Sequence, residues 1–134
     1  FYAEAYGLQF CTLKLCDTYG PGDTRKKIFN LFEKNALSGE VLEMSAGEQL
    51  IDIVHVDQVV SVFLKLIHQL DGSMDVAGNC ASYFVSSGSQ VSLKKLAKEY
   101  EVTNSVKLNI KWGVRPYRSR EVMIPECIGT RIIT

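Results

Sequence analysis

Long apolar runs are missing from this 134-residue chain. The longest, Val59 to Ile67, is broken by Ser61 and Lys65. A membrane-spanning helix needs about 20 apolar residues, so no membrane partner is expected. Net charge is missing as well. Acidic and basic residues balance at 15 each, which removes the electrostatic argument for nucleic acid. The cysteines make no motif. Cys11, Cys16, Cys80 and Cys127 contain no CxxC pair, and His55 and His68 do not complete a metal quartet. Buried free thiols in a reducing cytosol are expected instead. No signal peptide, internal repeat, low-complexity segment or second domain is visible. What is present is ordinary: 46% apolar and 22% charged residues, suiting one domain with a single core.

An initiator Met is also absent, and the opening FYAEAYG reads as the end of a helix. Tyr2, Ala5 and Tyr6 share one side, and Gly7 supplies the C-cap. A protein rarely starts inside the last turns of a helix, so a C-terminal piece of something longer is expected.

Strands and helices then alternate, which favours an α/β class. Gln9–Leu15 reads as a strand buried on both faces. Tyr19–Asp23 is a turn with Pro21 and two glycines. Thr24 is placed to cap a helix from Arg25 to about Leu37, with Ile28, Leu31, Phe32 and Leu37 inward and Gly39 as the stop. Val41–Met44 is a short strand, and Leu50–Val56 a longer one rich in β-branched residues. Asp57 caps the next helix, with Val59, Val60, Phe63, Ile67 and Leu70 on one side and Asp71-Gly72-Ser73 ending it. Tyr83–Val85 is a strand and Ser86–Gln90 a polar loop. Ser92 caps a helix that turns Leu93, Leu96, Ala97 and Tyr100 inward, and Lys107–Lys111 alternates as a strand. The tail from Trp112 to Thr134 shows no clear period.

The stretch LKLCDTYGPGD carries more chemistry than a turn requires, because Arg25, Lys26 and Lys27 follow it. In the first turn of a helix, cations have the wrong sign for the macrodipole and cost roughly 0.3–1 kcal/mol each when exposed. Backbone N–H groups beside cations instead suit an anion, phosphate above all. A solvated basic patch is the plain alternative.

Taken with GEQLIDIVHVDQVV some thirty residues later, the stretch resembles the C-terminal half of the extended short-chain dehydrogenase/reductase family, the NAD(P)-dependent nucleotide-sugar epimerases, dehydratases and 4-keto-reductases. VSLKKLAKEY and GVRPYRSREV resemble a later helix and an Arg-bearing substrate segment of the same family. The resemblance runs from residue 1 to about 125. It implies the C-terminal portion of a Rossmann-like fold, with the last sheet strands plus a small mixed α/β substrate-binding lobe spanning 1–134. It also implies NAD or NADP held by an N-terminal domain, and a catalytic Tyr-x-x-x-Lys pair upstream of residue 1. Neither that pair nor a GxxGxxG loop occurs in these residues. A nucleotide-sugar substrate, a cytoplasmic location and a homodimer of the full-length protein are implied too.

Carried over by motif, the substrate-binding residues are Asp17, Tyr19, Arg25, Lys27, Ile28, Leu42, Met44, Arg115 and Arg118. Asp17 falls where the family has Asn, and a carboxylate would face a sugar hydroxyl or the turn's own amides. Lys27 and Ile28 match positions approaching the diphosphate and base, and Leu42 and Met44 match the base pocket. Arg115 and Arg118 rank ahead of Arg120 for a substrate arginine. Ile51 stands where many members carry a diphosphate-clamping Arg. Asp57 reads as a helix cap, and His55 as a packed strand residue more than a base. CDP- or dTDP-deoxyhexoses of surface polysaccharides are the nearest substrate class. A non-catalytic family relative acting as a binding or scaffold protein, and an unrelated phosphate-binding α/β module, stand as alternatives.

Overall fold

A computed structural model describes residues 1–71, 80–126 and 130–133. The elements run α1 (Tyr2–Tyr6), β1 (Phe10–Leu15), β2 (Asp17–Tyr19), α2 (Ile28–Ser38), β3 (Leu42–Glu43), β4 (Leu50–Ile51), β5 (Ile53–His55), α3 (Val56–Asp71), β6 (Cys80–Ser86), β7 (Val91–Ser92), α4 (Leu93–Asn104), β8 (Ile110–Lys111) and β9 (Thr130–Ile133). The α/β alternation read from the sequence is observed, but the single core is not. The chain divides into two compact units. One holds residues 1–20, 52–89 and 126–134, and the other 21–51 and 90–125.

The first unit is built on a parallel three-stranded sheet in the order β1-β6-β9. Phe10 aligns with Cys80 and Leu15 with Val85, and β9 lies on the other side of β6. A second parallel pair joins β2 to β5, Asp17 opposite Ile53 and Tyr19 opposite His55. The core is small and aliphatic. Val59, Val62 and Leu66 of α3 bury against Val54 and Val85, with Cys11, Leu13 and Tyr83 packed around them. The helix face differs from the expected one, since Val60, Phe63 and Ile67 are exposed. With apolar residues on two stripes, α3 has more than one candidate inner face, and the strand valines select 59, 62 and 66. Strand β1 is not buried on both faces either, because Phe10 and Leu15 are exposed and β6 is its one hydrogen-bonded neighbour among the described residues. The helix end at Gly7 is as expected, with φ 65° and ψ 21°. The expected stop at Gly72-Ser73 and the thiol of Cys127 lie outside the described residues. Cys11 and Cys16 are half-buried thiols that take part in no disulfide.

The second unit holds α2 and α4 with two short pairings, β3 parallel to β8 and β4 antiparallel to β7. Phe29, Phe32 and Tyr100 form its aromatic centre. The Phe29 and Tyr100 rings stack at 5.8 Å, and Phe32 lies 5.3 Å from Tyr100. Burial, then the charge of Glu33, raises the Tyr100 phenol above its ordinary pKa. Leu93, Leu96 and Ala97 point inward as expected, and Ser92 Oγ accepts from the Lys95 N–H at 3.3 Å. On α2 Phe32 is fully buried and Ile28 and Leu31 are half-buried, as expected, but the last position of the stripe is not. Leu37 is 82% exposed, and the second buried position of the helix, beside Phe32, is Asn35. Asn35 accepts from Asn109 N–H at 2.7 Å and donates to the Glu40 carbonyl at 2.7 Å, so its burial satisfies loop backbone that leucine could not.

The stretch Leu50–Val56 is not one strand. Asp52 separates β4 from β5, and the two strands pair in different sheets. The tail has one regular element that sequence period did not reveal, β9.

Candidate functional site

The turn after β2 begins with Gly20, where a Cβ would lie 2.5 Å from Val56 Cγ1. Only glycine lets the chain pass the start of α3 so closely. The basic residues that follow do not occupy a first helical turn. α2 starts at Ile28, Lys27 is its N-cap residue, and no side chain caps it. Thr24 therefore is not the cap, and Arg25 and Lys26 precede the helix.

Asp23 explains the delay. Its Oδ1 accepts from the Arg25 N–H at 3.0 Å and from Nε at 2.8 Å, while Oδ2 accepts from the guanidinium at 2.7 Å. Lys27 N–H then donates to the Arg25 carbonyl at 2.8 Å. Two consecutive tight bends use backbone that a helix from Arg25 would have needed. Asn30 donates to the Asp23 carbonyl from one turn further on. The side-chain hydrogen bonds from Arg25, then its N–H and the Arg25 and Lys27 charges, hold the Asp23 carboxyl at about 2. Arg25 is thus exposed but partly neutralised, while Lys27 is half-buried at the helix start.

Four further expected residues lie in the same unit. Leu42 sits in β3, opposite Ile110. Met44 follows it, held from both sides: its N–H donates to the Lys111 carbonyl at 3.0 Å, and its carbonyl accepts from Arg115 N–H at 3.2 Å. The structure thus brings Met44 and Arg115 together through backbone. Arg118 is exposed, and its carbonyl caps the turn by accepting from Glu121 N–H at 3.0 Å. Gly47 and Trp112 fasten this region. Gly47 has φ +71°, and a Cβ there would meet the Trp112 ring at 2.5 Å. A cavity of about 390 Å³ between α4 and β8, bordered by Lys98, Leu108 and Trp112 among others, is lined by none of the substrate-binding residues expected from the motifs.

In the first unit, Asp17 and Tyr19 lie on β2, both exposed. The Tyr19 ring meets His55 edge-on at 5.1 Å. Asp57 is not the helix cap; it is the second residue of α3, and its N–H donates to His55 Nδ1 at 3.3 Å. Gln58 Oε1 accepts from His55 N–H at 3.2 Å. His55 therefore serves the helix start.

The carboxylate that sequence reasoning passed over is Asp52, 4% exposed. Its Oδ2 accepts from Ser86 Oγ at 2.5 Å, and its Oδ1 from Ser87 N–H at 2.9 Å and Ser87 Oγ at 2.7 Å. Burial pushes its pKa up, but the bonds from Ser86, Ser87 and Cys16 outweigh it and hold the carboxyl below its usual value. The consecutive serines 86 and 87 were the available signal. Among the described residues no group of three or more His, Cys, Asp or Glu could hold a metal ion. No described helix is long and apolar enough to cross a membrane.

Comparison with known proteins gives this geometry a context. Residues 1–77 match the NAD dependent epimerase/dehydratase family. The chain is 26% identical over 126 residues to CDP-abequose synthase of Yersinia pseudotuberculosis, covering 93% of this chain and 42% of that protein. It superposes on UDP-glucose 4-epimerase of Thermotoga maritima, solved with UDP-glucose, at a TM-score of 0.74 and 23% identity. That match covers 97% of this chain and 40% of the epimerase. MoeE5, solved with UDP-glucuronic acid and NAD, superposes at 0.70 with 24% identity, covering 94% and 38%. The chain therefore spans about two fifths of the length of the proteins it resembles. Its fold is that of part of the Rossmann-like extended short-chain dehydrogenase/reductases, as the sequence motifs implied. With a family model matching more than half of its residues, the chain belongs to the NAD dependent epimerase/dehydratase family.

Proposed function

We propose that this chain is the nucleotide-sugar-binding portion of an NAD(P)-dependent epimerase, dehydratase or 4-keto-reductase that makes deoxysugars for surface polysaccharide. The similarity to a synthase of a CDP-linked sugar, over nearly the whole chain, carries this reading. The uncapped start of α2, with Lys27 at its N-cap and no acidic residue in its first turn, supports a diphosphate contact there. In the same unit, Ile28, Leu42 and Met44 contact the base, and Arg115 and Arg118 the sugar-diphosphate. Asp17 and Tyr19 stand as sugar contacts by motif alone.

The residues present do not fit a dinucleotide cradle. The described glycines at positive φ are Gly7, Gly22, Gly39, Gly47, Gly88 and Gly113, scattered over helix ends and turns, and none falls in a GxxGxxG pattern. NAD or NADP is accordingly held by residues outside these 134, as is the Tyr-Lys pair, and this piece alone is not catalytic. The working protein is a cytoplasmic homodimer.

Titration of the full-length protein with CDP-, dTDP-, UDP- and GDP-sugars tests the reading. Lys27→Ala should weaken the preferred ligand by roughly 1.5–3 kcal/mol, the range for a charged contact. Arg25→Ala should cost less, because Asp23 already occupies that guanidinium. Unchanged affinity in both variants would remove the phosphate site, and no binding of any nucleotide sugar would remove the function.

A further inference from the structure

The cavity of about 390 Å³ between α4 and β8 is of a size that small ligands occupy, and no residue assigned to the nucleotide sugar lines it. Helix α4 supplies one wall. Lys94, Ala97, Lys98 and Glu101 share a stripe there, at helical spacings of three and four. Alternate residues of the chain through β8, Leu108, Ile110 and Trp112, supply the other. The apolar lining is fixed in place. Ala97 and Leu108 are buried. Gly47 approaches the Trp112 ring so closely that a Cβ would meet it at 2.5 Å, and the same Cβ would lie 3.0 Å from the Lys94 stem. The charges on the walls are engaged, with one exception. Lys94 Nζ donates to Glu48 at 2.7 Å, and Glu101 Oε1 accepts from the Leu108 N–H at 2.7 Å. Lys98 Nζ has no hydrogen bond or ion pair among the described residues.

We propose that this cavity is a second binding site, separate from that for the nucleotide sugar, and that it takes a small organic carboxylate with an apolar ring. The ring lies on Ala97, Leu108 and Ile110 beside the Trp112 indole, and the carboxylate pairs with Lys98. One open cation matches one negative charge. A phosphate or diphosphate is disfavoured, because its further charge would face the Glu101 carboxylate while Lys94 already answers to Glu48. A cationic ligand would meet two ammonium groups. A neutral ring would gain apolar burial alone and leave Lys98 unused.

The test is calorimetric titration of the full-length protein with 2-naphthoate, its neutral isostere 2-naphthamide and the dianionic 2-naphthyl phosphate. Naphthoate should bind about fivefold more tightly than the amide, the upper end for an exposed ion pair, and more tightly than the phosphate. Lys98→Met keeps the aliphatic stem and should bring naphthoate down to the affinity of the amide. Lys95→Met, outside the cavity and 3.7 Å from Glu99, should change nothing. Both lysines are exposed, so neither variant should shift the melting temperature. Saturating CDP- or UDP-hexose should leave naphthoate affinity unchanged. Displacement of naphthoate by either nucleotide sugar overturns the separate site, and tighter binding of the phosphate overturns the carboxylate. Equal affinity for naphthoate and naphthamide, or an equal fall in the two lysine variants, overturns the role of Lys98. No saturable binding up to about 10 mM, weak even for a ligand of this size, overturns the site itself. Naphthoate binding with the Lys98 dependence, in a protein that takes no nucleotide sugar, still supports the inference, which does not rest on the function proposed above.

Discussion

Replacing Asp52 by alanine should be the most damaging single change in the first unit. The carboxylate is 4% exposed and gathers three hydrogen bonds from Ser86 and Ser87 at 2.5–2.9 Å. Alanine leaves the Ser87 N–H and the Ser86 hydroxyl facing a void, and each unmade bond costs roughly 1–3 kcal/mol. The two together predict a loss of about 3–5 kcal/mol, a large share of the stability of a chain this size. Replacement by asparagine is the sharper probe. The amide oxygen can keep the two Ser87 bonds, but the NH₂ then faces Ser86 Oγ, which already accepts from Gly88 N–H at 3.0 Å. Ser86 must give up its role as donor, so Asp52→Asn should cost about 1–2 kcal/mol. The same cluster sets an acid limit. Because the folded carboxyl sits below its ordinary pKa, its contribution is complete above about pH 4 and is lost as pH falls from there toward the depressed folded value. Urea unfolding of wild type and both variants at pH 7 and across pH 5 to 3 measures all of this. An alanine variant within about 0.5 kcal/mol of wild type, the range of surface changes, would refute the assignment of Asp52 as an internal tie. So would an acid slope in the asparagine variant equal to that of the wild type.

Gly20→Ala pushes a methyl to 2.5 Å from Val56 Cγ1 and should destabilise by about 1–3 kcal/mol; adding Val56→Ala should recover most of it, measured by urea unfolding. Gly47→Ala combines positive φ with a clash against the Trp112 ring, so it should cost more than Gly20→Ala and shift the tryptophan emission spectrum. Ser92→Ala removes the single side-chain cap of α4 and should cost about 1 kcal/mol, with threonine or aspartate at that position restoring it.

The sequence was most readable where one residue decides one feature. Gly7 and Gly39 both end helices in the left-handed region, and Ser92 caps α4, because each depends on local chemistry alone. The failures come where a second group competes with the rule read from one residue. Thr24 satisfied every local requirement for a cap, yet Asp23 takes the backbone and guanidinium of Arg25 and postpones the helix by three residues. LIDIVHV satisfied the β-branched pattern of a strand, yet Asp52 is drawn to Ser86 and Ser87, over thirty positions away, and the strand parts around it. On α3 the apolar residues nearly encircle the helix, so period alone could not choose between the stripe at 59, 62 and 66 and the stripe at 60, 63 and 67. The candidate site shows the same division. Met44 and Arg115 were reached by motif, and the backbone bond between them is a consequence of folding that neither residue announces. Asp23 was passed over because nothing in its own type marks it. It matters for the guanidinium that it holds. A polar residue's role in this chain is therefore set less by its motif than by whether its partner is local or distant.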